Sequence, residues 1–245
     1  NNTFSSLNNL AKVTRDFSHS TIIGITGSVG KTTLKNLISF SLKNYGKVYS
    51  SPHSYNNRFG VPLSISNLNN NINYGVFEIG MDKKGEINNL SKIVRPEIAI
   101  ITNISGAHFK NFKTLKDIAK AKSEIIGNIT HGGNLILNKD DNFFTFLSET
   151  AKKNKINVTS FSAKKKSDIY LSGIKKMKHF SILKINIKNK IYYFNTKNST
   201  NNFIQNILAC ISTMFVLNLN LKKMKNKFVG FKIPEGRGDI VTVKK

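Results

Sequence analysis

The chain of 245 residues is poor in several features that would otherwise set its class. Its one cysteine, Cys210, excludes an internal disulfide, and the apolar helical pattern around it predicts a buried structural thiol. No apolar run approaches the ~20 residues that cross a bilayer, and the polar residues 1–6 do not resemble a secretory signal. We therefore expect a globular, cytoplasmic protein without membrane insertion, and we expect it to be a monomer.

Acidic residues are also scarce, with 13 Asp and Glu against 38 Lys and Arg, so the formal net charge is +25. Such a charge alone favours a polyanionic partner. The lysines, however, are spread through the whole chain, and no interleaving of aromatic and basic residues marks a base-stacking platform. We predict no nucleic-acid partner, although a nucleotide-dependent switch protein with a nucleic-acid-binding surface stays open as an alternative.

Residues 24–33, with the sequence GITGSVGKTT, join a short apolar strand pattern to a helical one. Glycines there allow backbone N–H groups to face phosphate oxygens, a lysine reaches the terminal phosphates, and a threonine hydroxyl ligates Mg²⁺. The spacing is a variant, because Ile25 stands where the common P-loop has glycine. The residues predicted to bind a nucleotide triphosphate are Gly27, Ser28, Val29, Gly30, Lys31, Thr32 and Thr33.

Beyond this loop, strand and helix patterns alternate as far as about residue 156. This rhythm predicts an α/β fold with a mostly parallel sheet and helices on both faces. From about Asn157 short alternating runs predict a small hairpin-rich edge, with a turn at residues 188–190. Residues 1–20 contain one helix pattern, and a last helix is predicted over about residues 221–228. The predicted apolar face of the first helix comprises Phe4, Leu7, Leu10, Ala11 and Phe17.

Two polar side chains follow predicted core strands, where ligands gather in such folds. Glu78 ends one strand, and a buried carboxylate needs a cation, so we predict that Glu78 and Thr32 supply oxygen ligands to Mg²⁺. A carboxylate paired with a lysine is the alternative. His108 follows the next core strand and is predicted to contact metal or phosphate, with a structural histidine as the alternative.

Lys122 falls on the apolar face of its predicted helix, whereas Lys116 and Lys120 face away. A buried lysine calls for an explanation. It can extend its amine to solvent, pair with Glu124 or Glu78, or be chemically altered. A carbamate formed with carbon dioxide would be anionic and could bind metal.

Five ordered motifs together resemble the ATP-dependent Mur ligases of peptidoglycan synthesis: GITGSVGKTT, SYNNRFGVPLS, FEIGMDKKGEI, TNISGAHF and AKAKSEII. The resemblance extends over about residues 21–239. Within the family it is greatest to members that join D-alanyl-D-alanine to UDP-N-acetylmuramoyl-tripeptide. It implies ATP and Mg²⁺ as cofactors and these two compounds as substrates. The expected reaction makes an acyl phosphate on the peptide carboxylate, which the D-alanyl-D-alanine amine attacks.

The resemblance also implies roles for single residues. Lys31, Lys122 and His108 would be catalytic, and Thr32, Glu78, His108 and Lys122 would form the metal site, with Lys122 carbamylated.

Four further residues acquire implied roles from the resemblance. Asn56 and Asn57 would lie beside the muramoyl peptide, Asn206 would contact adenine, and Arg237 would contact the nucleotide phosphates. The chain departs from the family at Asn202 and Phe203, where the family often has histidine and asparagine.

By the same resemblance, residues 1–20 form a linker helix, 21–238 the central ATP-binding domain and 239–245 the start of a linker to an absent C-terminal domain. The family's domains for the UDP-sugar and for the incoming amine have no counterpart in this chain, which predicts that the fragment is inactive as a ligase. A folylpolyglutamate or cyanophycin-type ligase is the alternative within this fold.

Overall fold

The central strand β1, Thr21–Thr26, is buried along almost its whole length and pairs in parallel with strands on both sides. The structure is a computed structural model that describes residues 2–106 and 111–234. The strands in this part of the chain are β1 (Thr21–Thr26), β2 (Val48–Ser50), β3 (Tyr74–Glu78), β4 (Ile98–Ile101), β5 (Asn134–Asn138), β6 (Asn157–Ser162), β7 (Ile169–Lys176), β8 (Ser181–Ile187) and β9 (Lys190–Thr196).

The helices alternate with these strands until the sheet edge is reached. They are α1 (Thr3–Phe17), α2 (Lys31–Leu42), α3 (Gly60–Ser66), α4 (Glu86–Val94), α5 (Leu115–Ser123), α6 (Phe144–Lys153) and α7 (Asn201–Val216). A 3-10 helix, Glu124–Asn128, continues directly from α5.

The described strands form one sheet in the order β2-β3-β1-β4-β5-β6-β7-β8-β9. All pairs from β2 to β7 are parallel, and the pairs β7–β8 and β8–β9 are antiparallel. After β1 the chain proceeds to β2 on one side, whereas after β4 it proceeds to β5 on the other. The strand order therefore changes direction between β1 and β4, and ligands in such sheets bind in the crevice at the carboxyl ends of the strands at this point.

Alternate strand residues pack on opposite faces of the sheet. Ala99 and Ile101 of β4 belong to the core under α1, α3, α4, α5 and α6. Ile98 and Ile100 belong to the core under α2 and α7. The near-continuous burial of β4 follows from these two covered faces. This arrangement confirms the predicted mostly parallel α/β fold.

The edge β7–β9 confirms the predicted hairpin-rich region. Lys188 and Asn189 connect β8 to β9 with positive φ angles of 46° and 68°, as in a two-residue hairpin turn whose twist matches that of the strands. Cys210 on α7 is buried, as predicted, and burial raises the pKa of its thiol to about 12. Among the described helices, none is long and apolar enough to span a membrane.

The predicted apolar face of α1 is confirmed at Ala11 but is wrong at Leu10 and Phe17. Leu10 and Phe17 are 55% and 69% exposed, and the buried residues of this helix are Ala11 and Arg15. The Arg15 guanidinium donates to the carbonyls of Val94 and Arg95 and forms an ion pair with Glu97, which counting apolar residues could not reveal.

Two other elements differ from the predictions. Residues 221–228 form two short 3-10 helices, Leu221–Met224 and Lys227–Val229, in place of one helix. The short helix α3 follows the polar loop 51–59 and was not predicted, because seven residues give too little periodicity.

Candidate functional site

The loop after β1 turns sharply into α2 with two glycines in the left-handed region. Gly27 has φ 140°, and Gly30 at the helix N-cap has φ 87°. A Cβ atom on Gly27 would lie 1.9 Å from Thr102 Oγ1, so only glycine fits between the two loops. The turn leads the backbone around the N-terminus of α2, whose partial positive charge favours a phosphate group.

The segment that follows β4 braces this loop. The Asn103 carbonyl accepts the Ser28 N–H at 2.9 Å, and Asn103 Oδ1 accepts the Val29 N–H at 2.9 Å. Thr102 Oγ1 donates to the Val29 carbonyl at 2.7 Å. Ser28 Oγ donates to the Ser105 carbonyl and accepts the Ser105 N–H. The loop shape is therefore fixed by hydrogen bonds across the crevice between β1 and β4.

Two lysines converge on one carbonyl of the loop. Lys31 Nζ donates to the Gly27 carbonyl at 2.9 Å and to the Ser28 carbonyl at 3.4 Å, so its side chain folds back over the loop. Lys122 Nζ donates to the same Gly27 carbonyl at 2.9 Å from α5. Burial, followed by the charge of Lys31, lowers the pKa of Lys122 from 10.5 to about 7.

The structure discriminates between the explanations for Lys122. Its side chain is 1% exposed, so it does not extend its amine to solvent. Glu124 does not serve as its counter-ion, since its carboxylate accepts the N–H groups of Gly85 and Asn88 at the start of α4. Because the pKa of Lys122 is about 7, a substantial fraction of its amine is neutral near neutral pH, and the neutral amine is the form that reacts with carbon dioxide.

Glu78 ends β3 directly beside the first turn of α2. Its Oε2 accepts a hydrogen bond from Thr32 Oγ1 at 2.8 Å, and its Oε1 accepts one from Asn56 Nδ2 at 2.7 Å. The carboxylate is 1% exposed. Two buried side chains with oxygen donors beside the glycine-rich loop are of the kind that Mg²⁺ prefers, so the residues present fit this ion.

The loop 51–59 supplies the other predicted residues of this region. Besides bonding Glu78, Asn56 accepts the Gly80 N–H through its carbonyl at 2.8 Å. Asn57 Oδ1 accepts the N–H groups of Phe59 and Gly60 and so caps the start of α3. Both asparagines thus have structural partners, and their contact with substrate stays a prediction.

The remaining predicted residues lie around the α2 N-terminus or outside the described part of the chain. Thr33 is buried in the first turn of α2. Asn206 of α7 packs over Gly30, where a Cβ atom would lie 3.0 Å from Asn206 Oδ1. His108 and Arg237 lie outside the described residues.

One carboxylate that contacts α7 was not predicted from the sequence. Asp140, after β5, accepts hydrogen bonds from Ser162 Oγ, the Ala163 N–H and Gln205 Nε2. Burial raises its pKa, but these hydrogen bonds outweigh burial, so the pKa lies below its usual value. Asp140 thereby connects α7 to the ends of two strands. The sequence gives no signal of this role, because Asp140 is one of two adjacent aspartates in a loop.

These features define a P-loop type α/β domain: a mostly parallel sheet, a glycine-rich loop at its switch point, a lysine at the start of the following helix and a buried Thr–Glu pair beside it. Residues 25–214 match the family model described as Mur ligase middle domain. The chain belongs to this family, which confirms the resemblance read from its motifs.

Individual relatives agree with this assignment. The chain is 34% identical over 244 residues to the UDP-N-acetylmuramoyl-tripeptide–D-alanyl-D-alanine ligase of Buchnera aphidicola subsp. Baizongia pistaciae (strain Bp), covering 100% of this chain and 53% of that protein.

Among solved structures, MurF from Acinetobacter baumannii superimposes with a TM-score of 0.91 at 26% identity, covering 99% of this chain and 53% of that one. MurF ligase from Thermotoga maritima in complex with ADP gives a TM-score of 0.85 at 25% identity, covering 96% of this chain and 54% of that one. The chain therefore spans about half the length of the relatives it matches.

Proposed function

We propose that this chain is the ATP-binding domain of a ligase that adds D-alanyl-D-alanine to UDP-N-acetylmuramoyl-tripeptide. The observation that carries the proposal is the convergence of Lys31, the Thr32–Glu78 pair and Lys122 on one phosphate-binding loop. The names of the similar ligases supply the substrates. The activity is proposed for the whole protein, of which these residues contribute the nucleotide site.

The loop would hold the ATP phosphates through its backbone and through Lys31. In the structure the Lys31 ammonium contacts the carbonyls of Gly27 and Ser28. We expect it to leave these neutral acceptors for the terminal phosphates, because anionic oxygens attract the ammonium charge more strongly than neutral carbonyls do. It would then stabilise the charge that builds on the transferred phosphoryl group. Asn206 would contact the adenine and Arg237 the phosphates.

Magnesium would be held by Thr32 Oγ1 and the Glu78 carboxylate, with His108 as a further ligand. When bound, Mg²⁺ neutralises phosphate charge and orients the terminal phosphoryl group. The chain's own part is to keep these oxygens in a buried, fixed geometry. Asn56 contributes by holding the second oxygen of Glu78.

Lys122 would complete the site as a carbamate. Its neutral amine nitrogen would attack the carbon of carbon dioxide, forming an N–C bond and releasing one proton. The product is an anion that no longer repels Lys31 and can ligate metal. The depressed pKa of Lys122, about 7, supports this proposal because it makes the neutral amine available.

The overall reaction would proceed in two steps. A carboxylate oxygen of the tripeptide would attack the terminal phosphorus of ATP, giving an acyl phosphate and ADP. The amine of D-alanyl-D-alanine would then attack the acyl carbon and expel phosphate, with loss of one proton, to give the amide.

Asn56 and Asn57 would lie beside the muramoyl peptide. A cytoplasmic location, a monomeric state and the absence of nucleic-acid binding remain part of this proposal.

Calorimetric titration of ADP in the presence of Mg²⁺ tests the nucleotide site. We expect Lys31→Ala to weaken ADP binding by roughly 10- to 100-fold, as for loss of hydrogen bonds to a charged group. Lys43→Ala is a matched control, because Lys43 is exposed at the other end of α2 and should leave the affinity unchanged. UDP-N-acetylmuramoyl-tripeptide is titrated next into each nucleotide-loaded protein.

The outcomes test the nucleotide site and the peptide substrate separately. Wild-type protein that binds no ADP with Mg²⁺ would contradict the nucleotide site itself. ADP binding that depends on Lys31 and strengthens when the muramoyl peptide is added supports the proposed substrate. Tighter ADP binding with a folate polyglutamate than with the muramoyl peptide would instead favour the alternative ligase.

A further inference from the structure

A second lysine of α2, one turn beyond Lys31, is buried and lies outside the set of residues considered above. Lys35 is 1% exposed. Its ammonium donates to the Ser51 carbonyl at 2.6 Å and to the His53 carbonyl. Both acceptors belong to the loop that follows β2.

The helix geometry explains this reach. Residues four apart lie on the same face of a helix, and their side chains point toward the helix N-terminus. Lys31 and Lys35 therefore extend in the same direction, Lys31 to the phosphate loop and Lys35 to the neighbouring loop. A long side chain with several donors can satisfy two buried carbonyls that converge on one point.

The loop that Lys35 holds is the one that surrounds the Thr32–Glu78 pair. Asn56 Nδ2 donates to Glu78 at 2.7 Å. Ser54 Oγ lies 3.4 Å from Thr32 Oγ1. At the base of the loop, Ser51 Oγ accepts the Glu78 N–H at 3.4 Å. Residues 51–56 therefore contact both proposed oxygen ligands, and the shortest of these contacts is the one from Asn56 to the Glu78 carboxylate.

Two features show that this loop requires an anchor. His53 has φ 40°, a left-handed conformation that costs free energy in a residue other than glycine. A cavity of about 430 Å³ that is open to solvent borders Lys35, Ser51 and His53, and Thr32 also lines it, so the loop has space to move on that side. Without the ammonium, the loop could relax toward the cavity and carry Asn56 away from Glu78.

We propose that Lys35 is a positioning residue, which fixes the 51–56 loop so that Thr32 and Glu78 present their oxygens to Mg²⁺. It acts through the loop and does not touch nucleotide or metal. The inference rests on the proposed function, because it assigns a role to Lys35 in the same magnesium-nucleotide site.

The test compares ADP affinity with Mg²⁺ and with EDTA, by calorimetry, for wild type and Lys35→Met. Supporting residues behind metal ligands typically contribute about 10- to 100-fold in affinity or activity. Mg²⁺ should raise the ADP affinity of Lys35→Met by a factor about 10 to 100 times smaller than it does for wild type. The ADP affinity in EDTA should be the same for both proteins. Hydrogen exchange of the 51–57 peptide should become faster in the variant, which reports on the loop without any ligand.

Lys43→Met is the matched control, because it removes an exposed lysine of the same helix. Equal losses in Mg²⁺ and in EDTA for Lys35→Met would overturn the inference, as would an unchanged magnesium effect. Wild-type protein that binds no ADP would instead count against the proposed function, so the two failures are distinguishable.

Lys35→Gln covers the case in which Lys35→Met does not fold. Glutamine keeps two N–H donors on a shorter side chain. We therefore expect the magnesium coupling, which is the factor by which Mg²⁺ raises the ADP affinity, to fall by less than 10-fold, and hydrogen exchange of the loop to become faster. A glutamine variant with wild-type coupling and wild-type exchange would contradict the positioning role. In a double-mutant cycle, the effects of Lys35→Gln and Asn56→Ala should overlap, because both act on Glu78. Additive effects would contradict the proposed path.

Discussion

At the scale of the residue, Gly27 shows how closely the two loops of the crevice approach each other. Gly27→Ala would place a methyl group 1.9 Å from Thr102 Oγ1 at a φ of 140°. We expect it to reduce the free energy of unfolding by roughly 2–4 kcal/mol, since overpacking and backbone strain add. Thermal unfolding followed by circular dichroism should show a Tm lower by roughly 5–15 °C.

Gly127→Ala is the control for Gly27→Ala. No atom lies within 4 Å of a Cβ placed on Gly127, and its φ is not positive. A change at Gly127 should therefore alter the unfolding free energy by less than ~1 kcal/mol. Equal effects at the two glycines would show that the contact with Thr102 does not restrict position 27.

Lys122 makes stability depend on pH in a window set by its two pKa values. The folded pKa is about 7 and the value without burial is 10.5. Between these values the unfolded chain binds more protons than the folded one, so the free energy of unfolding rises with pH. Below the folded pKa both states are protonated and the full cost of the buried charge is present.

We expect Lys122→Met to remove this rise. Wild type should gain stability relative to the variant when the pH is raised from about 6 to about 9, as measured by denaturant unfolding in carbonate-free buffer. The two proteins differ only at position 122, so the pH dependence of their difference in stability reports on the loss of the Lys122 amine. A difference that stays constant with pH would show that the amine is charged throughout.

At the scale of the element, α1 depends on one arginine. Arg15 donates to the carbonyls of Val94 and Arg95, at the C-terminal end of α4, and pairs with Glu97. Arg15→Ala leaves these carbonyls without that donor and should cost about 1–3 kcal/mol. Hydrogen exchange across Thr3–Phe17 should become faster, because the helix loses its attachment.

Asp16→Ala provides the control on the same helix. Its ion pair with Arg95 is exposed at both partners, so its loss should cost less than ~1 kcal/mol and leave exchange in α1 nearly unchanged. If the two variants behave alike, α1 is held by packing and not by Arg15.

Elements were predictable from sequence to very different degrees. The core strand β4 and the helix α2 could be predicted, because each contains a local run or a helical period of apolar residues. Helix α3 does not, because its start is defined by Asn57 and its burial by packing under distant elements. The exposed face of α1 shows the same limit, since a short amphipathic pattern does not tell which side meets the core.

At the scale of the whole molecule, this chain contains the proposed nucleotide site but spans about half of its matched relatives. We expect it, as isolated, to bind ADP with Mg²⁺ and to form no amide from UDP-N-acetylmuramoyl-tripeptide, D-alanyl-D-alanine and ATP. The reason is that substrate groups must be held in line for phosphoryl and acyl transfer, which requires contacts beyond one site.

Mass spectrometry of the reaction mixture, alongside phosphate release, measures this prediction. ADP binding by the same sample is the control that the protein is folded. Sustained formation of the muramoyl-pentapeptide product by the isolated chain would contradict the prediction and would assign the complete catalytic apparatus to these residues.

The sequence by itself determined the alternation of strands and helices, the phosphate loop and the burial of Lys122, because each rests on neighbours within one turn, strand or motif. It also placed Glu78 and Thr32 together, since parallel strands bring their carboxyl ends to one edge of the sheet.

Only the tertiary structure decided which partners these side chains have. Lys122 and Lys31 share the Gly27 carbonyl, and Lys35 holds the loop at Ser51 and His53. These contacts join segments that are distant in sequence. A hydrogen bond between such segments produces no periodic sequence pattern from which it could be predicted. The chemistry of the site therefore follows from the motifs, and its geometry follows from the packing of α2, α5 and the loops between them.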